Sequence, residues 1–396
     1  MISRKKTLFG AAAAMFAGLA AIAHAQPGAP AAKAPAIPQA EVSEVATMPA
    51  ATARWVYVLG GFGTTGTRIF DGESGKMKGM LQIPSLGNLS LDPQGHFYYV
   101  AETIWSKGNR GVRQDMVSIY DVEHLKLQAE VPVPGRLLGG TTLNNFAVSA
   151  NGKWAFLYNM TPSSSIEVVD LVKRKHQQTV QLPGCAGIFA SGQDGVSALC
   201  SDGSMATVTF SAAGKATVSK SSPFFPVAKD PVFDTVVVDR TKGVATFVSY
   251  TGKVYSATLG PNPQFSAPWS LQSAAGMRDA VAAPLDVNWI PGGRQPYAVN
   301  RVTGRMYVLM HVGELWSQKE AGEEIWTVDL ATHKLIGRHA TPGKVGSIQV
   351  SQEAAPMVFV SGGPEGKVFM LDAETMEVKH TVERAGGGSM YVVEPS

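Results

Sequence analysis

Thr67-Arg68-Ile69-Phe70-Asp71 is a short apolar strand that ends in aspartate, and the chain repeats it. Val117-Ser118-Ile119-Tyr120-Asp121, Ile166-Glu167-Val168-Val169-Asp170, Ile325-Trp326-Thr327-Val328-Asp329 and Val368-Phe369-Met370-Leu371-Asp372 carry the same pattern, each followed by a polar turn and a further strand. The aspartates recur at intervals of 50, 49 and, for the last pair, 43 residues. The wider gap from Asp170 to Asp329 has room for three intervals and holds two degenerate copies, at Met205-Ala206-Thr207-Val208-Thr209-Phe210 and Val254-Tyr255-Ser256-Ala257-Thr258-Leu259. Seven units result. A second signature, a polar turn feeding a strand, lies upstream of several copies, as in Asp92-Pro93-Gln94-Gly95-His96 and Asn151-Gly152-Lys153.

Strands this short, separated by Gly, Asn, Asp and Pro turns without an amphipathic helix between them, exclude an α/β layer structure. A period of about 40–50 residues with several strands per unit describes propeller blades, and radial closure hides most strand edges. The fold class expected is all-β, a seven-bladed β-propeller over residues 51–396. A β-sandwich or a parallel β-helix is the alternative, and the regular count of seven disfavours both. With 396 residues, 45% of them hydrophobic, and 42 glycines, the chain can bury a large core and make frequent turns.

The N-terminus has the form of a bacterial export signal. Arg4, Lys5 and Lys6 precede an Ala-rich apolar run, and Ala23-His24-Ala25 fits a small-x-small cleavage site. Residues 1–25 are therefore expected to be removed, and the periplasm is the expected address. Removal takes three basic residues from the 34 and none of the 31 acidic ones, so the remaining charges balance. A neutral chain without a cationic block excludes nucleic-acid partners, and no later stretch is long and apolar enough to span a membrane. Residues 26–50, rich in Ala and Pro, read as an extended arm. Cys185 and Cys200 are the chain's two cysteines, and an oxidising compartment favours a disulfide between them, joining adjacent strands of the fourth blade.

Catalytic machinery is conspicuously missing. Gly61-Phe62-Gly63-Thr64-Thr65-Gly66 satisfies a dinucleotide-binding pattern, but a strand follows it where that chemistry needs a helix N-terminus. The histidines have no metal-ligand spacing, and no serine-nucleophile elbow occurs. The repeated aspartates are turn formers whose side chains bond backbone amides, not general acids. No catalytic residue and no metal site are expected in this chain.

Several stretches go beyond a generic propeller: Arg110-Gly111-Val112-Arg113-Gln114-Asp115, the Cys185 and Cys200 pair, Phe247-Val248-Ser249-Tyr250-Thr251-Gly252-Lys253, Trp289-Ile290-Pro291-Gly292-Gly293, Thr303-Gly304-Arg305-Met306-Tyr307-Val308 and Ala321-Gly322-Glu323-Glu324-Ile325-Trp326. In this order the chain resembles the large subunit of the tryptophan tryptophylquinone amine dehydrogenases, from about residue 54 to the end. The stretch from Phe247 to Asp329 is closer to the aromatic-amine branch than to the methylamine branch. The resemblance implies a seven-bladed propeller in a heterotetramer of two large and two small subunits. It implies that the quinone, built from two tryptophans, and the catalytic base lie on the small subunit. The substrate would be a primary amine, oxidised to aldehyde and ammonia, with electrons passed to a blue copper protein. On this resemblance Phe62 lines the substrate channel, in a loop shorter and richer in glycine than the family's usual form. Arg110, Arg113 and Trp289 are candidate contacts with the small subunit; a solvated turn for the arginines and core packing for the tryptophan are the alternatives. A stand-alone periplasmic propeller that binds a ligand or scaffolds other proteins is the competing function.

Overall fold

The computed structural model describes residues 47–394 except 61–65, 85, 140–142, 212 and 364. The export signal, most of the arm and Phe62 lie outside the described residues. Within them the chain forms seven antiparallel sheets, five of four strands and two of five, arranged as the blades of a propeller. The one α-helix among the described residues is the four-residue turn Leu271–Ala274.

Every copy of the sequence repeat occupies one structural position, the third strand of its blade. Thr67–Asp71, Arg113–Asp121 and Ser165–Asp170 fill that place in blades 1 to 3, and Gly322–Asp329 and Lys367–Asp372 fill it in blades 6 and 7. The degenerate copies, Met205–Phe210 and Lys253–Thr258, fill it in blades 4 and 5. The aspartates do the work of turns: Asp329 accepts from the amides of Ala331 and Thr332 at 3.1 and 2.7 Å, and Asp372 from those of Glu374 and Thr375, both at 3.0 Å. The amides of Thr332 and Thr375 hold these two carboxyls below the ordinary aspartate range. In blade 4, Ser211 takes the aspartate's place and its hydroxyl accepts from the Lys215 amide at 3.1 Å. That substitution is why the repeat fades there.

Two unlike faces follow from strand direction. One, the turn face, gathers these aspartate turns and the tight turns between innermost and second strands. The other, the loop face, gathers the connections between second and third strands and those between blades. Alternating side chains of adjacent blades interlock in apolar layers, such as Tyr99, Val117, Ile119, Phe146 and Leu157 between blades 2 and 3.

The ring closes by joining the two ends of the described chain. Met390–Val392 is the innermost strand of blade 1 and pairs with Trp55–Leu59, with Val56 opposite Val392. Just beyond that strand, Glu394 accepts from Arg301 Nη2 at 2.8 Å and lies 3.3 Å from Arg240 Nε. These arginines come from blades 6 and 5, so the carboxylate ties the closing strand across the axis. The two guanidiniums outweigh the cost of burial and hold the Glu394 carboxyl at a pKa of about 2. Around the axis the innermost strands leave a cavity of about 770 Å³. The described end of the arm is anchored here, with the Met48 amide donating to Glu123 O at 2.7 Å.

Cys185 and Cys200 form the disulfide expected of them, joining register partners on adjacent strands of blade 4 with Cα atoms 3.9 Å apart.

Candidate partner-binding face

On the loop face, blade 2 stands above its neighbours. Phe97–Trp105 and Arg113–Asp121 pair over nine residues, from Phe97 opposite Asp121 to Trp105 opposite Arg113. The matching strands of blade 1 pair over five, from Trp55 opposite Asp71 to Leu59 opposite Thr67. Four extra residues raise the hairpin about 13 Å. Its base is rigid because Arg136, 4% exposed, donates to Thr103 Oγ1 and Asn88 Oδ1, both at 2.9 Å, and to Leu86 O at 2.6 Å. Burial lowers the Arg136 pKa to about 10, still a full cation at neutral pH.

Beside this ridge the surface drops to blades 1 and 7, where the floor is backbone. Gly388 donates to Leu59 O at 3.1 Å, and a Cβ on Gly388 would come within 2.8 Å of the Leu59 and Gly60 carbonyls. Glycine is needed there because two stretches of backbone touch without side chains between them. The described residues that flank 61–65 are joined, Gly60 N donating to Gly66 O at 2.9 Å. The strand Thr67–Asp71 follows at once, so no helix N-terminus is available to the glycine pattern.

The sequence candidates separate on this face. Arg110 sits exposed at the tip of the blade 2 hairpin. Arg113 is on the same hairpin, but its Nε donates to Asp115 at 3.0 Å and its Nη2 to Arg136 O at 2.6 Å. Trp289 belongs to blade 6, in Asn288–Pro291, half-buried beside Trp326 at a ring distance of 5.9 Å. The Arg338 guanidinium lies 4.8 Å from both indoles and pairs with Glu324 at 2.7 and 3.0 Å. Much of what Arg113 and Trp289 can offer is thus engaged within the chain.

Two residues that sequence reading passed over are better placed to meet a partner. Trp316 is 60% exposed at a backbone φ of 78°, and Leu285 is 83% exposed at 62°. Bulky side chains in left-handed backbone and open to solvent are doubly unfavourable in an isolated chain. Val112, Val281, Val287 and Val312 on the same face are each about half exposed or more, so the apolar surface is broad. A lone tryptophan in the polar segment 313–322 was the available signal for Trp316. Nothing in the sequence marks Arg136.

Among the described residues no group of three His, Cys, Asp or Glu side chains is placed to hold a metal. The family model of the methylamine dehydrogenase heavy chain matches residues 52–394. The chain belongs to that family. Its similarity to the methylamine dehydrogenase heavy chain of Methylophilus methylotrophus is 27% identity over 380 residues, covering 95% of this chain and 91% of the relative. The heavy chain of Methylobacillus flagellatus is 26% identical over 339 residues, covering 84% and 83%. Among solved structures, the β-propeller domain of Cps50 (Swd1) from Myceliophteria thermophila superposes with a TM-score of 0.54 at 11% identity. That alignment covers 82% of this chain and 95% of the domain, and it supports the fold alone.

Proposed function

We propose that this chain is the large subunit of a periplasmic amine dehydrogenase, in a heterotetramer of two large and two small subunits. The observation that carries the reading is the heavy-chain family match over residues 52–394, together with a face that offers broad apolar surface. The small subunit docks on the loop face, against Trp316 and Leu285, with Arg110 at the rim. The small subunit would hold the tryptophan tryptophylquinone, which would supply the oxidant for the amine, and a blue copper protein would take the electrons.

This chain's own part is enclosure. The backbone floor at Gly388 leaves room for a partner to approach, the blade 2 hairpin walls one side, and the family resemblance assigns Phe62 a place in the substrate channel. A rigid ring at that position lines the substrate channel, excludes water and selects amines by the shape of their side chains.

The test is purification from the native periplasm with a visible spectrum before and after a primary amine. A small chain that co-purifies, with absorption that bleaches on adding phenylethylamine or methylamine, is the expected result and ranks the two amines. A colourless single chain, unresponsive to either, overturns the reading in favour of a binding propeller.

A further inference from the structure

We infer that Asp234, Tyr250 and Trp316 form a binding site for an organic ammonium group on the loop face, where blades 5 and 6 meet. Asp234 lies in the connection that enters blade 5, just before its innermost strand Val237–Asp239, and Tyr250 lies between the second and third strands of that blade. Backbone sets the two side by side. Val232 bridges Ser249, and Phe233 N donates to Val248 O and Tyr250 N to Pro231 O, both at 2.9 Å. Beyond Asp234, Thr235 O accepts from the buried Tyr297 hydroxyl. Phe233 and Thr235 are thereby pinned at 4% and 5% exposure, while Asp234 between them is open to solvent.

An open carboxylate is ordinary, but this one stands in a recess. The protein crowded around it raises its carboxyl above the ordinary aspartate range, opposed only by its own amide and that of Thr235. Among the described residues no lysine or arginine pairs with it. Lys319, the cation nearest to Trp316 in the sequence, is exposed and does not act on it. Its charge is felt locally: burial raises the Tyr250 phenol, and the Asp234 carboxylate raises it further. Asp230 does not share this role. Its carboxylate is taken by Ser249 Oγ at 2.8 Å and by Thr251 N and Oγ1 at 2.9 and 2.7 Å. One accessible negative charge is thus left without a cation where the surrounding protein limits its hydration.

Two aromatic rings make the corner beside it. Tyr250 and Trp316 stand at 86° to each other with centroids 5.9 Å apart, and Phe233 backs Tyr250 at 4.8 Å. Trp316 keeps its left-handed φ of 78° because its loop is tied down, Gly293 N donating to Gln318 O at 2.9 Å and His311 Nε2 bonding Ser317 Oγ at 3.0 Å. Strain held in place under an open ring serves to present that ring. Rings at right angles beside a carboxylate suit an ammonium group: their faces attract the charge, and the carboxylate oxygens accept its N–H groups. Primary amines are ammonium ions in neutral water, so this ligand class is also the substrate class of the proposed amine dehydrogenase. The natural ligand rests on that reading, in which the corner gathers amine at the seam with the small subunit; the binding of an ammonium ion does not.

Calorimetric titration of the purified protein, with its small subunit if one accompanies it, tests the assignment using choline, whose quaternary nitrogen a dehydrogenase of primary amines cannot oxidise. The uncharged isostere dimethylbutanol and sodium chloride are the comparison ligands, and Asp234→Asn is the variant. The expected result is one saturable choline site at millimolar concentration, about tenfold weaker for the alcohol and about tenfold weaker in Asp234→Asn. The alcohol binding as tightly as choline overturns the inference, because apolar filling alone then accounts for it. Sodium displacing choline at equal concentration, unchanged binding in Asp234→Asn, or no saturation overturns it equally. A choline-soaked crystal of the unaltered protein decides the matter if Asp234→Asn fails to fold: density between Asp234 and Tyr250 supports the site, and density elsewhere or none refutes it. Where the protein oxidises phenylethylamine, Asp234→Asn should raise KM about fivefold with kcat unchanged, and an unchanged KM removes Asp234 from substrate capture. Where it oxidises no amine, the proposed function fails and the choline titration still decides the site.

Discussion

Glu394 keeps its charge at the channel mouth because Arg301 and Arg240 surround it, and that arrangement has a pH signature. Its folded pKa, about 2, lies below the ordinary glutamate value of 4.5. A depressed carboxyl contributes stability that is complete above the unfolded pKa and lost as the pH falls through the folded one. Melting temperature should therefore drop between about pH 4.5 and 2, and Glu394→Gln should flatten that slope while lowering stability at neutral pH. Thermal melts of both proteins across this range check it; equal slopes would remove Glu394 as the cause. Trp316 poses the opposite case, a costly conformation whose ring meets Tyr250 edge-on at 5.9 Å yet stays largely open to solvent. Trp316→Ser should leave the circular dichroism spectrum unchanged and weaken small-subunit binding at least about thirtyfold, as for an interface anchor worth about 2 kcal/mol. Pull-down of the small subunit at graded concentrations measures it. By contrast, Arg113→Gln should act on the blade 2 hairpin before it acts on a partner, since its donors already hold Asp115 and Arg136.

Among the elements, blade position was readable wherever the turn chemistry was local. An aspartate that bonds the next few amides leaves its mark within five residues, and all five strong copies proved to be third strands. Blades 4 and 5 were fainter because Ser211 and Thr258 stand where the other turns have aspartate. The candidate site was less legible. Arg136 stabilises a hairpin through Asn88 and Thr103, residues remote in sequence, and no local pattern encodes such a meeting. Hairpin height was equally hidden, since it depends on register and not on composition. Blade 4 also shows how a weak repeat is reinforced: its disulfide closes a loop of 15 residues between register partners. Replacing both cysteines with serine should cost about 3 kcal/mol in the loop-entropy account and lower the melting temperature by several degrees, with the blade otherwise retained. A calorimetric scan with and without reductant checks this, and an unchanged melting temperature would place the blade's stability wholly in its core.

For the molecule as a whole, the ring stands or falls with Met390–Val392. Removing residues 388–396 should expose the edge of Trp55–Leu59 and strip hydrogen-exchange protection from its amides first, while blades 3 to 5 hold theirs longer. Protection lost evenly around the ring would instead mean that the propeller opens as one unit. The closing strand also sets an order of events. Synthesis starts at the N-terminal end, so Trp55–Leu59 must wait, apolar on every residue, for a partner made last of all. The lead-in to that partner is the segment with Gly388, whose backbone lays the floor of the loop face. The proposed docking surface and the seal of the ring are thus finished in the same step. A truncated or stalled large subunit presents no completed seat, so enzyme assembly carries its own proofreading: only a chain translated to its last strand is fit to claim a partner.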